Sequence, residues 1–102
     1  MAKELDADSF KSHISGGLAL VDFWAPWCGP CQMLGPVIEE LSHELKDVKI
    51  GKLNVDEFGD LAGQYQVSGI PTMILFKKGE MVDRRTGVSP KTEIKKWIEG
   101  HK

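Results

Sequence analysis

Leu18-Ala19-Leu20-Val21-Asp22-Phe23-Trp24-Ala25-Pro26-Trp27-Cys28-Gly29-Pro30-Cys31 contains the change of pattern on which the fold turns. Leu18 to Trp24 is a near-continuous apolar run, typical of a strand covered on both faces. From about Cys28 the period becomes helical. Leu34, Val37, Ile38, Leu41 and Leu45 recur at helical spacing, while Glu39, Glu40, Ser42, His43 and Glu44 point elsewhere. Pro36 lies inside this helix, where it removes an amide donor and predicts a kink.

Upstream, Asp6 or Asp8 can cap a short helix through about Ile14, and Gly16-Gly17 breaks it. Downstream, Val48 to Val55 reads as a second central strand interrupted by Gly51. Asp56 to about Tyr65 reads as a short helix, and Thr72 to Phe76 as a third strand. Lys77-Lys78-Gly79-Glu80 is a polar turn, and Met81 to Thr86 returns antiparallel. Ser89 is a good cap for a last helix with Pro90 at its first position. Ile94, Trp97 and Ile98 form its buried stripe and Gly100 ends it. Alternating strands and helices followed by a hairpin predict an α/β fold: a central mixed sheet flanked by helices on both faces. At 102 residues the expectation is one domain spanning 1–102, able to fold without staples.

Thirteen basic against fifteen acidic residues leave a net charge of -2, which argues against a nucleic-acid footprint and a polybasic membrane patch. No apolar run approaches a membrane span. The stretch from Met1 to Asp6 has no apolar segment behind a basic one, so a cytoplasmic protein is expected. Nothing in the pattern calls for an oligomer, and a monomer is the default.

The chemistry concentrates where the strand gives way to the helix. Two cysteines separated by two residues at a helix start can lie within disulfide reach. The sulfur of Cys28 should sit near unpaired amides at the positive end of the helix dipole, which favours thiolate over thiol. Cys31, one turn further in and less exposed, is placed to attack a mixed disulfide formed at Cys28. Pro30 stiffens the first turn and withholds one amide from the thiolate, which favours the reducing direction. Zinc would need four ligands, and His13, His43 and His101 show no ligand spacing beside this single pair. A purely structural bridge would close too small a loop to stabilise much. Asp22 interrupts an otherwise apolar strand, so it should find a partner or hold its proton. Lys52, which interrupts the next strand in the same way, is the candidate.

Trp27-Cys28-Gly29-Pro30-Cys31 resembles the active-site motif of the thioredoxin family. The resemblance continues in order through Val21-Asp22-Phe23-Trp24-Ala25, Pro36, Lys52-Leu53-Asn54-Val55-Asp56, Gly69-Ile70-Pro71-Thr72 and Phe76-Lys77-Lys78-Gly79-Glu80. It implies a thioredoxin fold and a general protein-disulfide reductase and electron carrier. Cys28 would attack, Cys31 would resolve, and Asp22 would move the proton of Cys31 with Lys52 nearby. The resemblance further implies a cis bond at Ile70-Pro71, where base rates alone favour trans. It also implies docking of extended substrate against Trp27, Gly29, Pro30, Gly69, Ile70, Pro71 and Gly87, with Thr86 alongside. For Gly87, plain turn chemistry is an equal reading. Trp24 reads at least half as core, and Trp97 as structural.

The implied partners are a thioredoxin reductase and clients of the ribonucleotide reductase, peroxiredoxin and methionine sulfoxide reductase type. Flavin and NADPH would belong to the reductase, leaving this chain no cofactor of its own. Gln32 and Gly35 depart from the family pattern, where a cation and a small Ala or Ser are usual. Arg84 and Arg85 can either guard a sheet edge or select partners. A disulfide oxidase or isomerase is disfavoured by Gly29-Pro30. A thiol-independent docking module would survive loss of both cysteines.

Overall fold

The computed structural model describes residues 2–102. Its elements in chain order are β1 (Lys3–Glu4), α1 (Ala7–Ser15), β2 (Leu18–Trp24), α2 (Gly29–Glu44), β3 (Lys49–Asn54), α3 (Gly59–Gln64), β4 (Thr72–Lys77), β5 (Glu80–Thr86) and α4 (Lys91–Glu99). One sheet of five strands runs in the order β1-β3-β2-β4-β5. β1, β3 and β2 are mutually parallel, while β4 and β5 run antiparallel. This is the mixed α/β sheet expected.

Alternation along β2 sorts the helices. Leu18 and Leu20 pack with Leu34, Ile38 and Leu41 of α2 and Ile94 and Ile98 of α4. Val21 and Phe23 point the other way, with Phe10 and Ile14 of α1 and Ala62 of α3. Side chains two apart share a face, so Asp22 and Trp24 lie on the α2/α4 side. Pro and Gly inside a helix cost about 3 and 1 kcal/mol relative to Ala. The fully buried Leu34, Ile38 and Leu41, at roughly 1.5–3 kcal/mol each, outweigh that cost. Through Pro36 and Gly35, α2 runs unbroken to Glu44.

Asp6 caps α1, its carboxylate accepting from the Ser9 amide while the Ser9 hydroxyl answers the Asp6 amide. Gly51 is closely packed: a Cβ there would stand 3.0 Å from Leu5 Cδ1 and 3.1 Å from His13 Cε1, so those side chains would have to give way. Lys78 and Gly79 both take positive φ, 54° and 85°, the two-residue turn that suits the twist of a hairpin.

Three expectations need correction. β1 was not foreseen; two residues carry no periodic signal. α3 begins at Gly59 rather than Asp56, because Asn54 first builds a turn. Its side chain accepts from the Asp56 amide at 2.9 Å, and its carbonyl from the amides of Glu57 and Phe58. The last helix is capped by Pro90, not Ser89, and no side chain caps it. The Ser89 hydroxyl instead accepts from Arg85 at 3.4 Å.

Candidate active site

The end of β2 delivers the chain to a turn in which the Cys28 amide donates to the Ala25 carbonyl, 3.2 Å. Cys28 then serves as N-cap of α2 with extended backbone, and Pro30 occupies the first turn. The Cys31 amide donates to Cys28 Sγ at 3.2 Å, so one orphan donor of the helix start is aimed at that sulfur. Cys28 and Cys31 are joined as a disulfide with their Cα atoms 5.2 Å apart.

The difference in exposure expected between the two sulfurs is small in this oxidised state: the residues are 5% and 3% exposed. They differ instead in what they face. Cys28 Sγ lies 3.9 Å from the Ile70 carbonyl oxygen. Cys31 borders a cavity of about 150 Å³ shared with Asp22, Trp24, Gln32, Gly35 and Lys52.

Asp22 is 1% exposed, and its Oδ1 has no hydrogen-bond partner among the described residues. Burial pushes its pKa up to about 7, against a smaller opposing pull from Lys52. The expected pairing with Lys52 is therefore only partly realised. The two residues face each other in register across β2 and β3. The Lys52 ammonium, however, makes its ion pair with Glu4 at 3.4 Å and lies 5.2 Å from the Trp24 ring centre. The register Glu4↔Lys52 on β1 explains this competition.

Around Cys28 the loops are tied together. The Ile70-Pro71 bond is cis. The Gly87 amide donates to the Pro71 carbonyl at 2.8 Å, and the Thr72 hydroxyl donates to the Gly69 carbonyl and meets the Thr86 hydroxyl at 3.3 Å. Gly87 has φ +96°, so its left-handed backbone accounts for the glycine. Gly69 has no such requirement, since a Cβ there would make ordinary contact with Thr86 at 3.8 Å.

Trp27, next to Cys28 in the chain, is 70% exposed. The Trp27 indole N–H donates to the Asp56 carboxylate at 3.0 and 3.1 Å. Sequence reasoning did not foresee this bond, although it singled out Asp56 within the segment Lys52-Leu53-Asn54-Val55-Asp56. Only the need of an indole N–H for an acceptor hinted at Asp56. Trp24 is half-buried beside the cysteines, as read. Trp97 packs against the α2/α4 core.

Arg84 and Arg85 are used within the chain. Arg84 donates to the carbonyls of Tyr65 and Gln66 behind α3, and Arg85 covers the Trp97 ring at 5.7 Å. No group of three or more His, Cys, Asp or Glu among the described residues is placed to hold a metal ion. No helix among them is long and apolar enough to cross a membrane.

Known proteins resemble this chain in sequence and fold over nearly all of its length. The thioredoxin family model matches residues 1–100. A thioredoxin of Chlamydia caviae is 50% identical over 101 residues, covering 99% of each chain. One from Bacillus subtilis is 47% identical over 94 residues, 91% of this chain and 90% of that one. A solved Malassezia sympodialis thioredoxin superposes with a TM-score of 0.90 at 34% identity, covering 98% of this chain and 92% of its own. A mutant thioredoxin from Halobacterium salinarum gives 0.88 at 39%, covering 96% and 89%. A vicinal sulfur pair at a helix start, in a chain alike in sequence and fold to these proteins from end to end, leaves one assignment: it belongs to the thioredoxin family, protein-disulfide oxidoreductases that work by dithiol/disulfide exchange with a reductase and disulfide-containing substrates.

Proposed function

We propose that Cys28 is the attacking sulfur of a general protein-disulfide reductase and Cys31 the resolving one. The observation that carries this division is the Cys31 amide aimed at Cys28 Sγ. That donor, with the helix dipole behind it, stabilises negative charge on Cys28 once the bridge is reduced. The Cys28 thiolate attacks a substrate disulfide, and one substrate thiolate leaves and takes up a proton. Cys31 gives its proton to Asp22, and its sulfur attacks Cys28. The second substrate thiolate departs and takes up the proton that Asp22 gives back through solvent, leaving Cys28–Cys31 oxidised. Two electrons and two protons have passed to the substrate.

Asp22 is suited to this exchange because its pKa of about 7 lets it hold or release a proton near neutral pH. Lys52, across the strand pair, limits how far burial raises that pKa. Substrate docks over Trp27, Gly29 and Pro30 and pairs as one extended strand with the backbone at Gly69, Ile70 and Pro71, with Gly87 at the margin. The reading includes a single domain over 1–102, acting as a monomer in the cytoplasm. Its clients are of the ribonucleotide reductase, peroxiredoxin and methionine sulfoxide reductase type, and it is recharged by a thioredoxin reductase.

Replacing the resolving sulfur tests the division. Cys31→Ser should accumulate mixed disulfides through Cys28 when mixed with a disulfide-bonded protein such as insulin, and Cys28→Ser should accumulate none. Equal trapping by both variants, or trapping by Cys28→Ser alone, overturns the assignment. The double serine variant should lose all reduction, which separates a reductant from a thiol-independent docking subunit.

A further inference from the structure

Gln32 and Gly35 of α2 border the same space. The cavity beside Cys31 has a floor and a rim. Asp22 and Cys31, 1% and 3% exposed, form the floor. Exposed Gln32 and half-buried Gly35, Trp24 and Lys52 form the rim. Asp22 Oδ1 and Trp24 Nε1 are buried and have no hydrogen-bond partner among the described residues. The cavity of about 150 Å³ that these two residues border has room for water, at roughly 30 Å³ per molecule in the liquid.

The rim residues are placed in ways that packing alone does not demand. The Gln32 amide reaches back six residues and donates to the Pro26 carbonyl at 2.9 Å. That bond holds a neutral side chain at the edge of the cavity. Gly35 lies within a helix, where glycine costs roughly 1 kcal/mol relative to alanine. Yet a Cβ there would meet nothing within 4 Å, and its φ is not positive. Neither crowding nor backbone geometry asks for glycine. What its missing side chain leaves is open space beside the floor.

We propose that the gap between Gln32 and Gly35 is the proton port of the site: water entering there carries protons between Asp22 and bulk solvent, and Gln32, pinned to Pro26, is the positioning residue that keeps the port open. The proposal rests on the reading of Asp22 as acceptor of the Cys31 proton. After that transfer the Asp22 carboxyl holds the proton and Cys31 is a thiolate. Release of the proton to water through the port returns the carboxylate. In the reverse direction water supplies it.

The test closes the port and reads proton handling apart from docking. A small aromatic disulfide, 5,5′-dithiobis(2-nitrobenzoate), serves as substrate in single turnover across pH 5.5–8.5. The carboxyl carbon of Asp22 is titrated by NMR in the same variants. Gly35→Leu should slow release of the second thiolate about tenfold at neutral pH and move the Asp22 midpoint up by about one unit as its water is lost. Gly35→Ala, which takes up less of the gap, should slow that release less than Gly35→Leu does. Gln32→Leu, which cuts the bond to Pro26, should shift the pH profile in the direction of Gly35→Leu.

In an Asp22→Asn background neither Gly35→Leu nor Gln32→Leu should have any further effect. Equal slowing in that background, or an unmoved Asp22 midpoint in Gly35→Leu, overturns the port. Should Asp22→Asn alone leave the rate unchanged, the proton role of Asp22 falls. The carboxyl titration then still decides separately whether the gap hydrates that group.

Discussion

Asp22, on the central strand β2, and Asp83, on the edge strand β5, are the same residue type held in opposite ways within one sheet. Asp22 lies under the disulfide, 1% exposed, with one oxygen unpartnered and its pKa pushed up to about 7 by burial. Asp83, on edge strand β5, accepts from the Trp97 indole at 2.7 Å, the Arg84 amide at 2.8 Å and His101 Nε2 at 2.9 Å. Those donors, the Trp97 bond first, hold its pKa below the ordinary carboxylate value. Satisfying a carboxylate with donors fastens α4 to the sheet. Withholding donors leaves a group that trades protons near neutrality, at a cost in stability. The closing end of the molecule is built for the first purpose and the redox end for the second.

The largest effect that can break this contrast is on stability at alkaline pH. Folded Asp22 binds its proton more tightly than the unfolded chain does, with a pKa of about 7 against an ordinary 3.8. Its contribution to stability is therefore complete below about pH 4 and is lost as the pH rises through 7. The difference in the two affinities corresponds to an upper limit of about 4 kcal/mol. Asp22→Asn, which cannot ionise but still buries a polar amide, should stabilise the protein by roughly 2–4 kcal/mol at pH 8 and change little at pH 3.5. Urea unfolding of both proteins at the two pH values measures it. A variant no more stable than the parent at pH 8 would mean that Asp22 is hydrated or paired well enough to ionise freely.

Asp83 should respond in the opposite sense and more weakly. Its pull favours folding above the ordinary carboxylate pKa and is lost as pH falls through the depressed value. Because the side chain is 43% exposed, water replaces much of what is removed, and Asp83→Ala should cost about 1 kcal/mol near pH 7. The loss should shrink as the pH falls through that depressed value and the carboxylate takes up its proton. Thermal melts of parent and variant at pH 7 and pH 2.5 give the comparison. An equal loss at both would show that packing, not charge, fastens α4.

How far each end could be read in advance follows from the range of its contacts. Asp22 was legible because a charge inside Leu18–Trp24 violates a local pattern. The Cys28–Cys31 pair was legible because both sulfurs lie within one helical turn. The ion pair of Lys52 with Glu4 was not, since it depends on β1, a strand too short to announce itself. The fastening of Trp97 and His101 to Asp83 joins residues 14 and 18 positions apart in the chain. The bond from Trp27 to Asp56 spans 29. No periodicity encodes such contacts, which exist only once β5 and α4, or β2 and β3, are side by side.

The smallest effect tests a local signal that the sequence carries and the fold declines. Ser89-Pro90 has the form of a capped helix start, and a working serine cap lost to alanine costs about 1 kcal/mol. In the structure α4 is capped by Pro90 without a side-chain bond, and the Ser89 hydroxyl holds only the Arg85 guanidinium at 3.4 Å. That contact is long and charge-assisted on one side alone, so Ser89→Ala should cost at most a few tenths of a kcal/mol. A loss near the full value in urea unfolding would place the cap at Ser89. It would also mean that α4 is held from its own first turn as well as through Trp97 and His101. The contrast between a fastened and an unfastened carboxylate would then explain less of why this end of the sheet stays closed.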